Sequence, residues 1–318
     1  MEYDIIGDVH GHAEPLERLL GDLGYEYRGG AYRHPSVNRT AIFLGDIIDR
    51  GPEQLKSIDI VRRMMDVGTA ICLMGNHEHS AIGWLIPDPE HAGGYLRPHT
   101  DKNYSQHRVF LDHVGEDKAF RRELRDWMLA LPLYADLPEI RCVHACWHPA
   151  VIDDLKVATQ GTARLAGTTM FDSYRKGHPT RELVDITIRG REVDLPAGLT
   201  FIDGDGIERD KSRVRWWSDT APVKLRDLIV DELDTDADAD PSDIFINTDD
   251  PDRRLAFFGH YWVSGVPRLM SSRATCLDFS VAAGGALCAY TWRGEPELTA
   301  DHLTWVDALK VDNLVKFG

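Results

Sequence analysis

Short apolar runs recur along the chain at 3–7, 41–45, 70–74, 140–144, 255–259, 275–279 and 286–290. Several are bounded by glycine or by a polar cluster, the pattern of strands buried on both faces. Between the first three runs the period changes. Leu16, Leu19, Leu20 and Leu23 keep the i, i+3, i+4, i+7 spacing behind Pro15, which suits an early helical position. Leu55, Ile58, Val61 and Met65 lie on one helical face, and Gly68 offers a stop. The alternation strand–helix–strand–helix–strand predicts βαβ units and an α/β fold.

The pattern is less regular elsewhere. Residues 80–131 mix Trp84, Tyr95, Tyr104, Phe110 and Trp127 with His, Arg and Gly, which reads as a mostly helical insertion. Residues 153–215 read as a second insertion with strand character, for example Val184-Asp185-Ile186-Thr187-Ile188. The DGDG at 203–206 reads as a turn. Residues 231–252 are strongly acidic and read as a solvated mobile loop. An EF-hand fails there, because Ala239 stands where Gly is needed and Phe245 where Glu is needed. There is no internal repeat, and one domain over 1–318 carrying three insertions is expected.

Composition narrows the class. No stretch approaches the ~20 apolar residues that span a bilayer, and no leader pattern precedes the first strand. The five cysteines (Cys72, Cys142, Cys146, Cys276, Cys288) are an odd number and lie mostly in apolar runs. They read as reduced, buried thiols, and a cytoplasmic protein is expected. The net charge of −16 disfavours nucleic acid as a partner. It does not disfavour a small phosphorylated substrate, because bound metal ions reverse the local field. No oligomeric state follows.

The candidate chemistry sits at the ends of the apolar runs. Gly7-Asp8-Val9-His10-Gly11 offers a carboxylate and an imidazole that can grip one metal ion. In Gly45-Asp46-Ile47-Ile48-Asp49-Arg50-Gly51, Asp46 can bridge two ions and the Arg50 fork suits phosphate oxygens. In Gly75-Asn76-His77-Glu78, the Asn76 amide oxygen is a neutral hard ligand and His77 a proton donor. His144 and His260 each end a further run. Ligands in open α/β sheets collect outside the carboxyl ends of strands, so five such ends bearing these residue types form one site. The donors are oxygen and nitrogen without thiolate, favouring Mn²⁺, with Fe, Co or Zn as alternatives. His148, Tyr261 and Trp262 are candidates for the pocket wall, and Asp278 for a partner of a histidine ligand.

GDVHG, GDIIDRG, GNHE, a later strand-end His and a GH pair resemble the phosphoprotein phosphatase family of metallophosphoesterases. CLDFSVAAGGAL at 276–287 resembles its bacterial diadenosine tetraphosphatase branch, and RWWSD at 215–219 a segment of the serine/threonine phosphatases. The resemblance implies a calcineurin-like fold, a two-layered β-sandwich of mixed sheets flanked by helices, with the insertions near the active site. It implies a hydrolase in which Asp8, His10 and Asp46 hold one ion and Asp46, Asn76, His144 and His260 the other. Arg50 then binds phosphoryl oxygens, His77 protonates the leaving oxygen, and Asp49 orients His77. The two ions activate a bridging hydroxide that attacks phosphorus in line. A second phosphate-binding arginine is implied, for which Arg213, Arg215 and Arg254 are the candidates by position. The expected substrate is a small nucleotide or dinucleoside polyphosphate. The alternatives are a phosphoprotein phosphatase and a catalytically weak nucleotide-binding module.

Overall fold

The computed structural model describes residues 1–202, 207–239 and 250–308. The chain begins with β1 (Glu2–Ile6), α1 (Ala13–Asp22), a small hairpin of β2 (Glu26–Arg28) and β3 (Ala31–Arg33), β4 (Arg39–Phe43), α2 (Gln54–Asp66) and β5 (Ala70–Cys72). These are the expected βαβ units. β1 pairs in parallel with β4, and β4 with β5. Three helices follow, α3 (Asn76–Leu85), α4 (Asp101–Val114) and α5 (Lys118–Leu129), so the first insertion is helical as its pattern suggested.

A second sheet starts with β6 (Tyr134–Asp136) and β7 (Ile140–Val143). α6 (Pro149–Ala158), α7 (Thr168–Asp172) and α8 (Pro179–Arg189) come next. Two hairpins then pair β8 (Glu192–Asp194) with β11 (Lys211–Arg213), and β9 (Phe201–Ile202) with β10 (Glu208–Arg209). After α9 (Leu225–Leu228) the chain returns to the sheets as β12 (Leu255–Phe258), β13 (Ala274–Cys276), β14 (Asp278–Phe279), β15 (Ala286–Trp292) and β16 (Leu303–Asp307). One sheet runs β14-β15-β1-β4-β5, with β16 also on β15, and the other runs β13-β12-β7-β6. Both mix parallel and antiparallel pairs.

The period-2 side-chain alternation explains the layers. Ile5, Ile42, Ile140, Cys142, Leu255, Phe257, Cys288 and Tyr290 point between the sheets and form one core. Their strand neighbours Ile6, Ala41, Phe43, Val143, Ala256, Phe258 and Ala289 point outward into the larger core beneath the helices. The strands are therefore apolar on both faces over most of their length, with buried polar residues such as Asp4 and Arg141 as exceptions, and each fully buried aliphatic or Phe side chain adds about 1.5–3 kcal/mol.

Two sequence expectations are corrected. Residues 184–188 are not a strand but the second half of α8. The β-branched residues mislead because tertiary packing overrides propensity. Pro179 stands in the first turn, Asp185 pairs with Arg181 and Arg189 one turn away on either side, and Thr187 Oγ1 donates back to Leu183 O at 2.8 Å. The acidic segment is not uniformly solvated. Asp231 accepts from Ser212, Asp236 pairs with Arg226, Asp238 with Lys224, and Asp250 is buried against Arg141. Residues 240–249, like the DGDG at 203–206, lie outside the described residues.

All five thiols are buried and free. Among the described residues no helix is long and apolar enough to cross a membrane.

Candidate metal centre

Because β1, β4 and β5 are parallel, their carboxyl ends open onto one rim. The ladders extend one step past the strands, through Leu44 N to Ile6 O at 3.0 Å and Leu73 N to Phe43 O at 2.9 Å. β7 and β12 are likewise parallel, and Gly259 N bonds His144 O at 2.8 Å. Asp8 and His10, Asp46 to Arg50, Asn76 and His77, His144 and His260 leave the sheets at these ends. Hydrogen bonds join the rims: His144 Nδ1 donates to Leu44 O at 2.8 Å, and His260 N donates to Asp8 Oδ2 at 3.1 Å.

Backbone carbonyls fix the histidine tautomers. A carbonyl only accepts, so His10 Nδ1 donates to Ile48 O at 2.9 Å and His144 Nδ1 to Leu44 O. Each ring then presents its Nε2 lone pair inward. His10 Nε2 lies 3.7 Å, His77 Nε2 3.9 Å and His144 Nε2 3.4 Å from Asp46 Oδ2. Asn76 Oδ1 lies 3.1 Å from His144 Nε2 and 2.7 Å from His260 Nδ1. Two groups of donors share Asp46 at the spacing of cation sites, His10-Asp46-His77 and Asp46-His144-His260, and a third with that spacing, Asp49-His77-His107, lies beside them.

This set fits divalent ions. His10 Nε2 and Asp8 Oδ1 are buried without a hydrogen-bond partner among the described residues. Burial and the neighbouring Asp278 carboxylate raise the Asp8 carboxyl well above its ordinary range. Burial, with the charges of His77 and Arg50, pushes the His10 imidazole down to about 3, and burial with Arg213 lowers His260. A buried carboxyl with a raised proton affinity, beside imidazoles held neutral, is short of positive charge, which a metal cation would supply. Two glycines allow the approach. A Cβ on Gly259 would stand 2.0 Å from Asp8 Oδ1, and one on Gly75 would stand 2.1 Å from Asp46 Oδ1.

The loops are strained and clamped. His10, Asp46, Asp49, Arg50, His260 and Trp262 all have positive φ. Such conformations cost roughly 1–3 kcal/mol each and persist only when the surroundings over-determine them. Glu78 supplies much of that constraint. Its buried carboxylate accepts from Asp46 N at 2.9 Å, Ile47 N at 2.8 Å, Ile48 N at 3.3 Å and Gly75 N at 3.0 Å. Burial and the Asp46 charge push Glu78 up to about 7. The sequence placed Glu78 beside the site without a role. Three residues after Gly75 at a helix start is the capping-box spacing that signals one.

Asp49 and His77 are brought together, Asp49 Oδ2 lying 2.5 Å from His77 Nδ1. The same oxygen meets His107 Nδ1 at 2.7 Å. Burial raises the Asp49 carboxyl, but the hydrogen bonds from His107 and His77 outweigh it and hold the group at about 2. Burial lowers His77, yet the Asp46 and Asp49 charges leave it raised overall. Sequence reasoning missed His107. Its one signal is a polar residue on the buried stripe of α4, in line with Phe110, Leu111 and Val114.

The remaining expectations divide. Arg50 is exposed, its guanidinium 4.0 Å over the Trp262 ring. Arg50 and His77 line a cavity of about 370 Å³ together with Lys102, Ser105 and Gln106 of α4. Among the candidate second arginines, Arg213 Nη1 lies 3.1 Å from His260 Nε2, whereas Arg215 bonds Val230 O and Arg254 is held by Asp252 and Asp136. Tyr261 is buried against Trp217 and Phe258, with Arg213 over its ring, so Trp262 and not Tyr261 faces the mouth. His148 stands at the N-cap of α6 near Arg191, outside both donor groups. Asp278 accepts from Trp262 N at 2.8 Å and Ser280 N at 3.0 Å, so it holds the loop after His260 and not a histidine ring.

Comparison with known proteins places this geometry. The calcineurin-like phosphoesterase family matches residues 1–261. An asymmetrical bis(5'-nucleosyl)-tetraphosphatase PrpE of Geobacillus thermodenitrificans is 46% identical over 145 residues, 46% of this chain and 56% of that protein. One from Oceanobacillus iheyensis is 49% identical over 77 residues, 24% of this chain and 30% of that protein. The chain thus spans about half or less of the length of the curated relatives it matches. A serine/threonine phosphatase structure from Saccharomyces cerevisiae is 12% identical with a TM-score of 0.47, over 98% of this chain and 81% of that one. With the match covering most of the chain and every strand-end residue from Asp8 to His260, the chain belongs to the calcineurin-like phosphoesterase family.

Proposed function

We propose that this chain hydrolyses phosphate esters or anhydrides with two divalent metal ions, and that its substrate is a small nucleotide or dinucleoside polyphosphate. The observation that carries the reading is the shared position of Asp46. Its Oδ2 lies within 3.4–3.9 Å of three imidazole nitrogens, beside Asp8 Oδ1 and His10 Nε2, which have no hydrogen-bond partner among the described residues.

Asp8, His10 and Asp46 would hold one ion, and Asp46, Asn76, His144 and His260 the other. Bound there, the ions supply an acidified water and stabilise charge on the phosphoryl oxygens. The mixed oxygen and nitrogen donors suit Mn²⁺, with Fe, Co or Zn as alternatives. The chain's own groups do the rest. Asp49 holds His77 through Nδ1, which leaves Nε2 to carry the proton delivered to the leaving oxygen. The two nearby carboxylates favour the charged imidazole, the form a general acid needs. Arg50 is positioned by Trp262 and Arg213 by Tyr261, on two sides of the centre, to clamp phosphoryl oxygens.

The nucleotide reading is supported by the activity for which the PrpE relatives are named, bis(5'-nucleosyl)-tetraphosphatase, over the stretch they share with this chain. We further propose that residues 1–318 act as one catalytic domain and that the buried free thiols suit the cytoplasm.

The test is hydrolysis of p-nitrophenyl phosphate with Mn²⁺ by wild type, His77→Asn and Asp46→Asn. Equal rates in all three would overturn the reading. Diadenosine tetraphosphate, nucleoside phosphates and a phosphopeptide are then compared. Preference for the phosphopeptide would move the substrate to phosphoprotein. Tight nucleotide binding without turnover would make the chain a binding module.

A further inference from the structure

Ser80 lies one turn of α3 beyond His77, about 5 Å along the helix axis. Its buried hydroxyl meets two guanidiniums, Arg97 Nη1 at 2.8 Å and Arg189 Nη2 at 3.2 Å. Arg181, two turns before Arg189 on α8, joins them around a cavity of about 300 Å³ that His79 and Tyr174 also line.

The charges in this cavity do not balance. Asp185 is the one carboxylate among the lining residues, 3.3 Å from Arg181 Nε and 2.9 Å from Arg189 Nε. Arg97 has neutral partners, Ser80 Oγ and Gln106 Oε1, and its Nε is buried with no partner among the described residues. Burial and the Arg189 charge push the Arg97 guanidinium down to about 10, and all three arginines act on the His79 ring. The Asp49 charge acts on Arg97 from outside the lining and Arg181 Nη1 donates to Tyr174 O at 3.0 Å, yet three guanidiniums face one carboxylate within the cavity, so positive charge is in excess there. In a chain of net charge −16 the cluster also opposes the overall field. The arginine fork matches phosphate oxygens two at a time.

The cavity adjoins the reaction centre. α4 forms a wall of both cavities, with Asn103 on this one and Lys102, Ser105 and Gln106 on the one with Arg50 and His77. Gln106 is itself hydrogen-bonded to Arg97, so the two cavities meet across that side chain.

We propose that Arg97, Arg181 and Arg189 form a second phosphate subsite, which takes a non-reacting phosphoryl group of a polyphosphate chain while another sits at the metal centre. The subsite rests on the phosphoesterase reading for its reaction, but its affinity for phosphate does not. It explains how the centre would prefer a polyphosphate over a lone phosphate: two anchored phosphoryl groups bind with higher effective concentration than one.

The experiment has two arms. Steady-state kinetics compare wild type, Arg97→Gln, Arg97→Lys and Arg189→Gln on diadenosine tetraphosphate and on p-nitrophenyl phosphate. Arg97→Gln and Arg189→Gln are expected to raise KM for the dinucleotide at least tenfold and to leave the monoester within twofold, with partial recovery in Arg97→Lys. Equal effects on both substrates, or none on either, would overturn the subsite. Calorimetry on the Mn²⁺-loaded protein compares orthophosphate with a non-hydrolysable imido analogue of tripolyphosphate. Wild type should bind the analogue at least tenfold more tightly, and the Gln variants should lose that margin while keeping orthophosphate affinity. A margin of unity in wild type would overturn the subsite. If only orthophosphate binding falls in the variants, the cavity is an effector site for free phosphate and the subsite proposal fails. A wild type that turns over neither substrate would overturn the proposed function, and the calorimetric margin would still decide the subsite. Should Arg97→Gln fail to fold, Arg189→Gln carries both arms.

Discussion

The strand-end rim and the wall built by α3, α4 and α8 face the same reaction centre but are held together by different means. On the rim, backbone groups anchor several key side chains, beside the side-chain pair Asp49–His77. His10 and His144 donate to carbonyls, and Glu78 receives four backbone amides. On the wall, side chains are fixed by side chains: Arg97 by Ser80 and Gln106, His107 by Asp49, Arg189 by Asp185. Backbone anchors at sheet ends place atoms rigidly, as a metal centre requires. Side-chain anchors between helices can be changed one residue at a time, as substrate selection requires.

Breaking the rim should therefore cost more than altering the wall. The largest loss is expected for Asp46→Asn, which removes the charge both donor groups share. Its kcat should fall by more than the ~10²–10⁴-fold typical of losing a general acid, with Mn²⁺ content by metal analysis falling in parallel. His77→Asn should lower kcat by about 10²–10⁴-fold while metal content stays near wild type. The deficit should be greater for an alkyl phosphate than for p-nitrophenyl phosphate, whose leaving group needs less protonation. An equal deficit on both would remove His77 as the acid.

Glu78→Gln tests the clamp on the rim. Exchanging an acceptor-only carboxylate for an amide leaves buried backbone donors poorly matched, at roughly 1–3 kcal/mol per orphaned group. Urea unfolding should show the loss, and unchanged stability would shift the role of holding Asp46 elsewhere.

His107→Asn on the wall should act more mildly, lowering kcat by about 10–100-fold through His77. It also sharpens the comparison through pH. The Asp49 carboxyl is held at about 2, below its ordinary value near 3.8. A depressed carboxyl stabilises the fold above its unfolded pKa, and that contribution is lost as pH falls through the folded value. Wild type should lose this contribution between about pH 4 and pH 2. In His107→Asn one of the two lowering hydrogen bonds is gone, so the acid transition should narrow toward pH 4. An unshifted acid unfolding curve would remove His107 from the Asp49 balance.

Legibility followed the same division. The five apolar runs that end in Asp8, Asp46, Asn76, His144 and His260 were readable because a strand buried on both faces must be continuously apolar, and its end is marked where the polar residue begins. The helical character of 80–131 was readable from its periodicity, but His107 was not. Nothing local relates it to Asp49, 58 residues earlier. Residues 184–188 were read with the wrong period because β-branched residues suit a strand in isolation, whereas the first-turn Pro179 and the Asp185 pairs stabilise a helix. Trp262 could not be preferred over Tyr261 from sequence, since adjacent residues leave a turn in directions set by backbone dihedrals, here positive φ at His260 and Trp262.

What the sequence alone determined is the inventory and the order: which carboxylate, amide, imidazole and guanidinium groups the chain carries, and that the proposed ligands follow strand ends. Tertiary structure alone decided the partners. Arg213, not Arg215 or Arg254, came to lie against His260, Glu78 took the backbone amides of the rim, and Arg97 of the loop before α4 met Arg181 and Arg189 of α8. Strand register and strand ends are written in local alternation of apolar and polar residues. Contacts between distant side chains depend on how whole elements pack, and no local pattern encodes that.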